Sequence, residues 1–149
     1  MLAADFVRDL KKLISSDRYY LDSTDCYAYA YDNSRKLFPP ECVIFPLTTT
    51  EVAQLITLCR LYQVPVTARG RGTGTAGGSL PEQGGVTLSL ERMIQIVKID
   101  IANRVIVAEP GVLNETVQLA VKPHGLFWPP DPSSAAYSTI GGNLATSAG

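Results

Sequence analysis

Residues 69–79 read Arg69-Gly70-Arg71-Gly72-Thr73-Gly74-Thr75-Ala76-Gly77-Gly78-Ser79, directly after the apolar run Val64-Pro65-Val66-Thr67-Ala68. Five of these eleven residues are glycine. That density suits a segment that turns tightly or lets its backbone touch another molecule. Successive backbone N–H groups in such a loop can point into one concavity and bind an anion. The stretch reads as a phosphate cradle, and the chain as a nucleotide or cofactor binder.

The flanks of the loop set its frame. Upstream, Cys42-Val43-Ile44-Phe45 is short, apolar and β-prone and predicts a strand. Thr48 precedes Glu51 by three residues, a capping-box signature for a helix start. Val52, Leu55, Ile56, Cys59 and Tyr62 line one face of that helix. Val64–Ala68 is the next strand, and Gly85–Leu90, beyond the loop, a third. A strand, a helix and a strand in this order make a βαβ unit, so these strands are expected to be parallel.

Further out the pattern changes. Ile94–Asp100 and Arg104–Glu109 are β-rich runs joined by Ile101-Ala102-Asn103, which predicts an antiparallel hairpin. Pro110-Gly111 ends it. Leu113–Val121 predicts a helix, with Pro123 and Gly125 after its end. The sole histidine, His124, falls there and reads as a helix-end residue rather than a base. Residues 128–136 form a Pro-, Asp- and Ser-rich loop. At the other end, Phe6, Leu10, Leu13 and Ile14 predict a helix over 3–16. Residues 17–40, dense in tyrosine, read as an irregular arm packed on the first lobe. The expected organisation is therefore residues 1–40 as N-terminal helix and arm, 41–91 as a first lobe with the loop, and 92–149 as part of a second lobe. The chain stops at Ser147-Ala148-Gly149 without a closing strand, so it reads as truncated. Ser138–Gly149 carries little large apolar surface, and poor anchoring is expected beyond Thr139.

Composition narrows the function classes. A net charge of −1 supplies no basic field for nucleic acid. No apolar run approaches the ~18 residues of a membrane span. Met1–Phe6 lacks the basic start and apolar stretch of a signal peptide. Cys26, Cys42 and Cys59 show no metal-ligand spacing, and read as reduced thiols of a cytoplasmic protein.

Gly72-Thr73-Gly74-Thr75-Ala76-Gly77 fits G-x-G-x-x-G, but a Rossmann site needs a helix to start in the loop and an acidic residue ~20 positions on. Here Gly78, Pro81 and Gly84-Gly85 follow, then a strand. No Gly-Lys-Ser/Thr of a Walker A loop is present either. What remains is a glycine loop joining strands and gripping phosphate with backbone amides.

Arg69-Gly70-Arg71-Gly72-Thr73-Gly74, Gly77-Gly78, Glu109-Pro110-Gly111-Val112, Pro130-Asp131-Pro132-Ser133-Ser134 and Ile140-Gly141-Gly142-Asn143 occur in the order seen in one family. From about Pro46 to Gly149 the chain resembles the N-terminal FAD-binding domain of the vanillyl-alcohol oxidase/p-cresol methylhydroxylase superfamily. Within it, the chain is most similar to the glycolate oxidase flavoprotein subunit and D-lactate dehydrogenase branch. The resemblance implies an α+β fold, with a small parallel α/β lobe, an antiparallel β lobe and FAD between them. It implies that Arg69, Gly70, Arg71, Gly72, Thr73 and Gly74 hold the FAD pyrophosphate, with Gly77, Gly78 and Ser79 completing the turn. Pro46 would border the adenine end. Pro130, Asp131 and Ser134, with Thr139, Gly141, Gly142, Asn143 and Ala145, would surround the pyrophosphate, ribityl chain and isoalloxazine.

The sequence departs from the family at Arg71, usually a small residue, at Thr75, usually leucine, and at Thr146-Ser147, usually an acidic residue and Asn. Relatives with covalent FAD use a histidine in the loop; this loop has none, so FAD is expected to be non-covalent. The activity implied is oxidation of a 2-hydroxy acid of glycolate or D-lactate type by hydride transfer to FAD, with an iron-sulfur or other electron-transfer subunit as partner. The catalytic bases would lie in a later cap domain, so no catalytic residue is expected here. Another oxidoreductase of the superfamily, or a fragment without activity, are the alternatives.

Overall fold

Cys42, Val43 and Ile44 have no exposed surface, and the sheet is built around them. The computed structural model describes residues 1–148. Helix α1 (Ala4–Leu13) and a single 3-10 turn (Ser16–Arg18) lead to β1 (Tyr19–Tyr20), α2 (Ser23–Tyr27), β2 (Cys42–Ile44), α3 (Thr49–Leu61), β3 (Val66–Arg69) and β4 (Val86–Ser89). The strands form one sheet in the order β1-β2-β4-β3. β2, β4 and β3 are parallel, as the strand–helix–strand pattern predicts. β1 adds antiparallel at the free edge of β2.

Because side chains alternate across a strand, each strand serves two faces. On one, Cys42, Ile44, Val86 and Leu88 pack with Phe6, Leu10 and Ile14 of the α1 region and Leu55, Leu58 and Cys59 of α3. On the other, Val43 and Phe45 pack with Cys26, Tyr20 and Tyr29. Thr87 and Ser89 of β4 point to this second face by alternation, and Arg69 stands opposite Ser89 in the register. The second face is thus apolar under the arm and polar toward the carboxyl ends of β3 and β4.

Thr48 caps α3 by accepting from the Glu51 amide at 3.1 Å. The Glu51 carboxylate accepts in turn from the Leu47 amide (2.7 Å) and from Arg18. The helix start expected from Thr48 and Glu51 is therefore capped, with the Glu51 carboxylate reaching back to the Leu47 amide just before the N-cap. Ile56, expected on the buried face, is 45% exposed, while Leu58 is buried. The buried stripe runs Leu55, Leu58 and Cys59, flanked by Val52 and Tyr62, and Ile56 falls on its shoulder.

A second lobe follows. β5 (Ile96–Asp100) and β6 (Val105–Ala108) pair antiparallel, with an irregularity between Ile96 and Lys98. α4 (Asn114–Val121) runs into a 3-10 turn over Lys122–His124, which Gly125 ends in the left-handed region at φ +70°. α5 spans Ile140–Ala145. Val112, Val117 and Ile140 form its core, against Ile96, Ile106, Ala108 and Trp128. The fold is the expected α+β arrangement of a parallel lobe followed by an antiparallel one.

Two stretches are more ordered than their sequence suggests. Residues 17–40 hold a strand and a helix, because Asp22 caps α2 by accepting from the Thr24 amide. The segment after Thr139, expected to be loosely held, forms α5. The Thr139 hydroxyl accepts from the Gly142 amide, Ile140 N–H donates to the Val112 carbonyl, and Gly141 N–H donates to the Pro110 carbonyl. Small residues anchor here through close backbone approach, not side-chain area: a Cβ on Gly141 would lie 2.7 Å from Pro110 Cβ. Gly149, the last residue of the expected second lobe, lies outside the described residues.

Candidate functional site

The glycine loop leaves the carboxyl end of β3, the end of a parallel sheet where ligands sit in open α/β folds. Gly72 and Gly77 adopt φ +65° and +81°, values that side chains with a Cβ rarely take. Among the described residues, no backbone N–H from Gly70 to Ser79 donates a hydrogen bond to another protein group. Most of the loop is at least partly exposed. A Cβ added at Gly74 or Gly78 would meet nothing within 4 Å. Packing within this chain therefore does not demand glycine at those two positions. The loop is a run of unpaired amide donors with its surface left bare.

Beneath it lies a polar network. Arg69, only 7% exposed, donates from Nη2 to the Tyr31 carbonyl at 2.8 Å and from Nη1 to Ser79 Oγ at 3.4 Å. Its guanidinium carbon lies 5.7 Å from the Tyr29 ring centroid. Ser79 Oγ donates to Asp32 Oδ2 at 3.2 Å, and Asp32 Oδ1 accepts from the Ser34 amide at 2.8 Å. Asn33 Nδ2 donates to the Thr73 carbonyl at 3.2 Å. Burial opposes the Asp32 charge, but hydrogen bonds from Ser34 and Ser79 and the nearby Arg69 outweigh it and hold its pKa below the ordinary value. Burial likewise pushes the Tyr29 hydroxyl up to about 12, reinforced by Glu91, to which it donates at 3.3 Å. Loop and arm enclose a cavity of about 350 Å³ lined by Tyr29, Tyr31, Asp32, Asn33, Glu91 and the stretch Arg69–Thr73.

The second lobe reaches the loop at Gly70. Gly70 lies against Thr139, whose Oγ1 would collide with a Cβ there. Gly111 is packed as closely beside Leu90 and Met93, with a Cβ position 2.6 Å from the Met93 carbonyl oxygen. Around α5, Ser138 Oγ and Asn143 Nδ2 are buried without a hydrogen-bond partner among the described residues, as is Ser89 Oγ at the end of β4.

The expected site residues thus divide. Gly70 to Thr73 line the cavity beside the arm and Ser79 joins the Arg69–Asp32 network, whereas Thr139, Gly141, Gly142 and Asn143 lie at or in the first turn of α5, and Thr139 meets the loop at Gly70. Pro130 and Asp131 line a separate cavity of about 540 Å³ beside α4, with Asn114, Glu115, Gln118 and Trp128. Asn114 Nδ2 donates to the Pro130 carbonyl there. Ser134 accepts from the Ser138 amide through its carbonyl, at 2.7 Å. Ala145 and Arg71 are exposed, and Pro46 is fully buried. The sequence reading missed Tyr31, Asp32 and Asn33; Asp32-Asn33-Ser34, a turn-forming run in an otherwise aromatic arm, was the available signal.

Known proteins share this chain's sequence and fold. The family model described as an FAD binding domain matches residues 40–149. The glycolate oxidase subunit GlcD of Bacillus subtilis (strain 168) is 35% identical over 150 residues, covering 100% of this chain and 32% of that protein. The D-lactate dehydrogenase of Anaerostipes hadrus is 38% identical over 140 residues, covering 93% of this chain and 28% of that protein. This chain therefore spans about a third of the length of such relatives. Among solved structures, alkyldihydroxyacetonephosphate synthase superposes with a TM-score of 0.88 at 24% identity, over 98% of this chain and 32% of that one. Substrate-bound p-cresol methylhydroxylase superposes with a TM-score of 0.79 at 21% identity, over 94% and 28%. These two likenesses bear on the fold alone. With a family model matching residues 40–149 and relatives aligned along nearly the whole chain, the chain belongs to the FAD binding domain family, and its cofactor is FAD.

Proposed function

We propose that this chain is the FAD-binding portion of a flavin-dependent oxidoreductase that oxidises a 2-hydroxy acid of the glycolate or D-lactate type. The observation that carries the FAD part is the loop itself: unpaired amides from Gly70 to Ser79, with Gly74 and Gly78 bare for no packing reason. A dianionic diphosphate matches that donor set. The buried, unpartnered Ser138 Oγ, Asn143 Nδ2 and Ser89 Oγ fit a second polar ligand region where the lobes meet. In this reading Gly70 to Gly74 bind the diphosphate, and Gly77, Gly78 and Ser79 shape the turn. Thr139, Gly141, Gly142 and Asn143 orient the rest of the cofactor. Pro130, Asp131 and Ser134 close the α4 side, Pro46 backs the adenine end, and Ala145 stands at the outer rim.

Bound FAD supplies a two-electron acceptor for the hydride leaving the carbon that carries the substrate hydroxyl. This chain's residues bind, orient and exclude water; the base and the substrate carboxylate site belong to sequence beyond those described. Attachment is non-covalent, since residues 69–79 offer no histidine. The substrate class rests on the names of the relatives, a glycolate oxidase subunit and a D-lactate dehydrogenase. The word subunit in the first name supports an electron-transfer partner, an iron-sulfur protein being the candidate.

The test has two stages. FAD is titrated into the chain and followed by fluorescence quenching and by its visible bands. The protein extended through its natural reading frame is then mixed anaerobically with glycolate, D-lactate, aryl alcohols and aldonolactones. Bleaching of the flavin band by the first two alone supports the proposal. Bleaching by the others instead assigns a different reaction of the same superfamily.

A further inference from the structure

The family match begins at residue 40, yet one wall of the glycine-loop cavity comes from residues before it. Three hydrogen bonds cross from that wall. Asn33 Nδ2 donates to the Thr73 carbonyl, Arg69 donates to the Tyr31 carbonyl, and Ser79 donates to Asp32. They grip the loop at its entry, middle and exit, while among the described residues no amide from Gly70 to Ser79 is engaged. We propose that residues 31–33 of the N-terminal arm brace the glycine loop in its phosphate-accepting shape, with Asn33 and Arg69 as positioning residues. The proposal rests on the loop's assignment to the FAD diphosphate.

The physical case is one of preorganisation. A loop rich in glycine has many backbone states to lose when it closes on an anion. Contacts that hold it from behind remove that loss from the binding step. All three contacts are made through loop or arm carbonyls and side chains, so none competes with the anion for an amide. Arg69 is suited to this role and not to direct contact. Its guanidinium lies under Gly72, where a Cβ would touch it; two of its nitrogens are engaged, and Asp32 stands close enough to temper its charge. Arg71, the neighbouring cation, is exposed.

Asn33→Ala is the decisive variant, because Asn33 is exposed and its side chain bonds only to Thr73 among the described residues. Affinities for FAD, ADP and riboflavin are measured for wild type and variant, with thermal unfolding alongside. We expect FAD and ADP, which carry the diphosphate, each to weaken about three- to tenfold, the size of one lost hydrogen bond. Riboflavin binding and the unfolding midpoint stay put. A variant that binds FAD and ADP as wild type does overturns the brace. Arg69→Lys and Arg69→Met add a second reading: a positioning fork is lost equally in both, whereas a phosphate ligand is largely rescued by the lysine charge. Rescue by lysine removes Arg69 from the proposal's terms. If the wild-type protein itself binds neither FAD nor ADP, the underlying FAD assignment fails, and that result is distinct from a wild type that binds and a variant that matches it.

Discussion

Gly72 and Gly74 stand two positions apart but relate to the protein in opposite ways, and replacing each by alanine separates packing from ligand contact. Gly72 has φ +65°, and a Cβ there would lie 2.8 Å from Arg69 Cζ. Holding alanine in the left-handed region costs about 1–2 kcal/mol. Moving Arg69 aside forfeits its bond to the Tyr31 carbonyl, about 1.5–3 kcal/mol for a charged donor. The sum, roughly 2.5–5 kcal/mol, corresponds to about two to three and a half decades at ~1.4 kcal/mol each. Because Arg69 is buried in the network, Gly72→Ala should lower both stability and FAD affinity. Gly74→Ala should not touch stability, since its Cβ meets nothing within 4 Å. Lower chain entropy in the unfolded state could even add about 0.4–1 kcal/mol. Its FAD affinity should nonetheless fall about tenfold or more, the worth of one charge-assisted bond to a phosphate oxygen. The assay is FAD titration by fluorescence quenching paired with urea unfolding of each variant. A Gly74→Ala protein that binds FAD like wild type would show that the bare amides are not the diphosphate cradle. A Gly72→Ala protein of undiminished stability would show that Arg69 does not pack beneath the loop.

Three further outcomes are expected. Asp32 has its pKa lowered in the folded state, so the stability it contributes is full above the unfolded carboxylate value, about 3.9, and is lost as pH falls through the lower folded value. Melting temperatures of Asp32→Asn should therefore converge on wild type toward acid pH; an identical gap at every pH would contradict this. Gly111→Ala would drive a Cβ into the Leu90 and Met93 carbonyls, and should cost about 2–3 kcal/mol in urea unfolding through strain at the lobe junction. Cys26, Cys42 and Cys59 are buried, and burial raises all three thiol pKa values, that of Cys59 to about 11. None should react with iodoacetamide at neutral pH before unfolding, and mass spectrometry of the native protein after labelling checks it.

Much of the parallel lobe was legible because its signals are local. The Thr48/Glu51 spacing marks a helix start, and the apolar runs at 42–45 and 64–68 are too short for anything but strands. Ile56 was misread because Val52, Ile56 and Cys59 also fit a helical stripe; only the position of the sheet selects Leu55, Leu58 and Cys59 instead. The α5 segment was illegible for a related reason. Ile140-Gly141-Gly142-Asn143 contributes almost no side-chain area, so a count of apolar residues predicts looseness. What fixes it are amide bonds to the Val112 and Pro110 carbonyls, which depend on how near two backbones can come.

The candidate site divides along the same line. Glycines at 70, 72, 74, 77 and 78 announce a backbone surface, since only a need for tight turns or close approach explains them together. The structure then separates two uses that the sequence cannot. Gly70 and Gly72 are glycine because Thr139 and Arg69 fill the space where a Cβ would go. Gly74 and Gly78 have no such neighbour, so packing among the described residues does not account for glycine there. The arm left no comparable mark. Its grip on the loop uses the Tyr31 and Thr73 carbonyls, groups that every residue carries and no residue type reports. Arg69 could be read from its place beside the loop as a phosphate ligand. Only its burial, its bond to Tyr31 and its position under Gly72 turn it from a contact into a support, and that distinction is what the lysine and methionine variants measure.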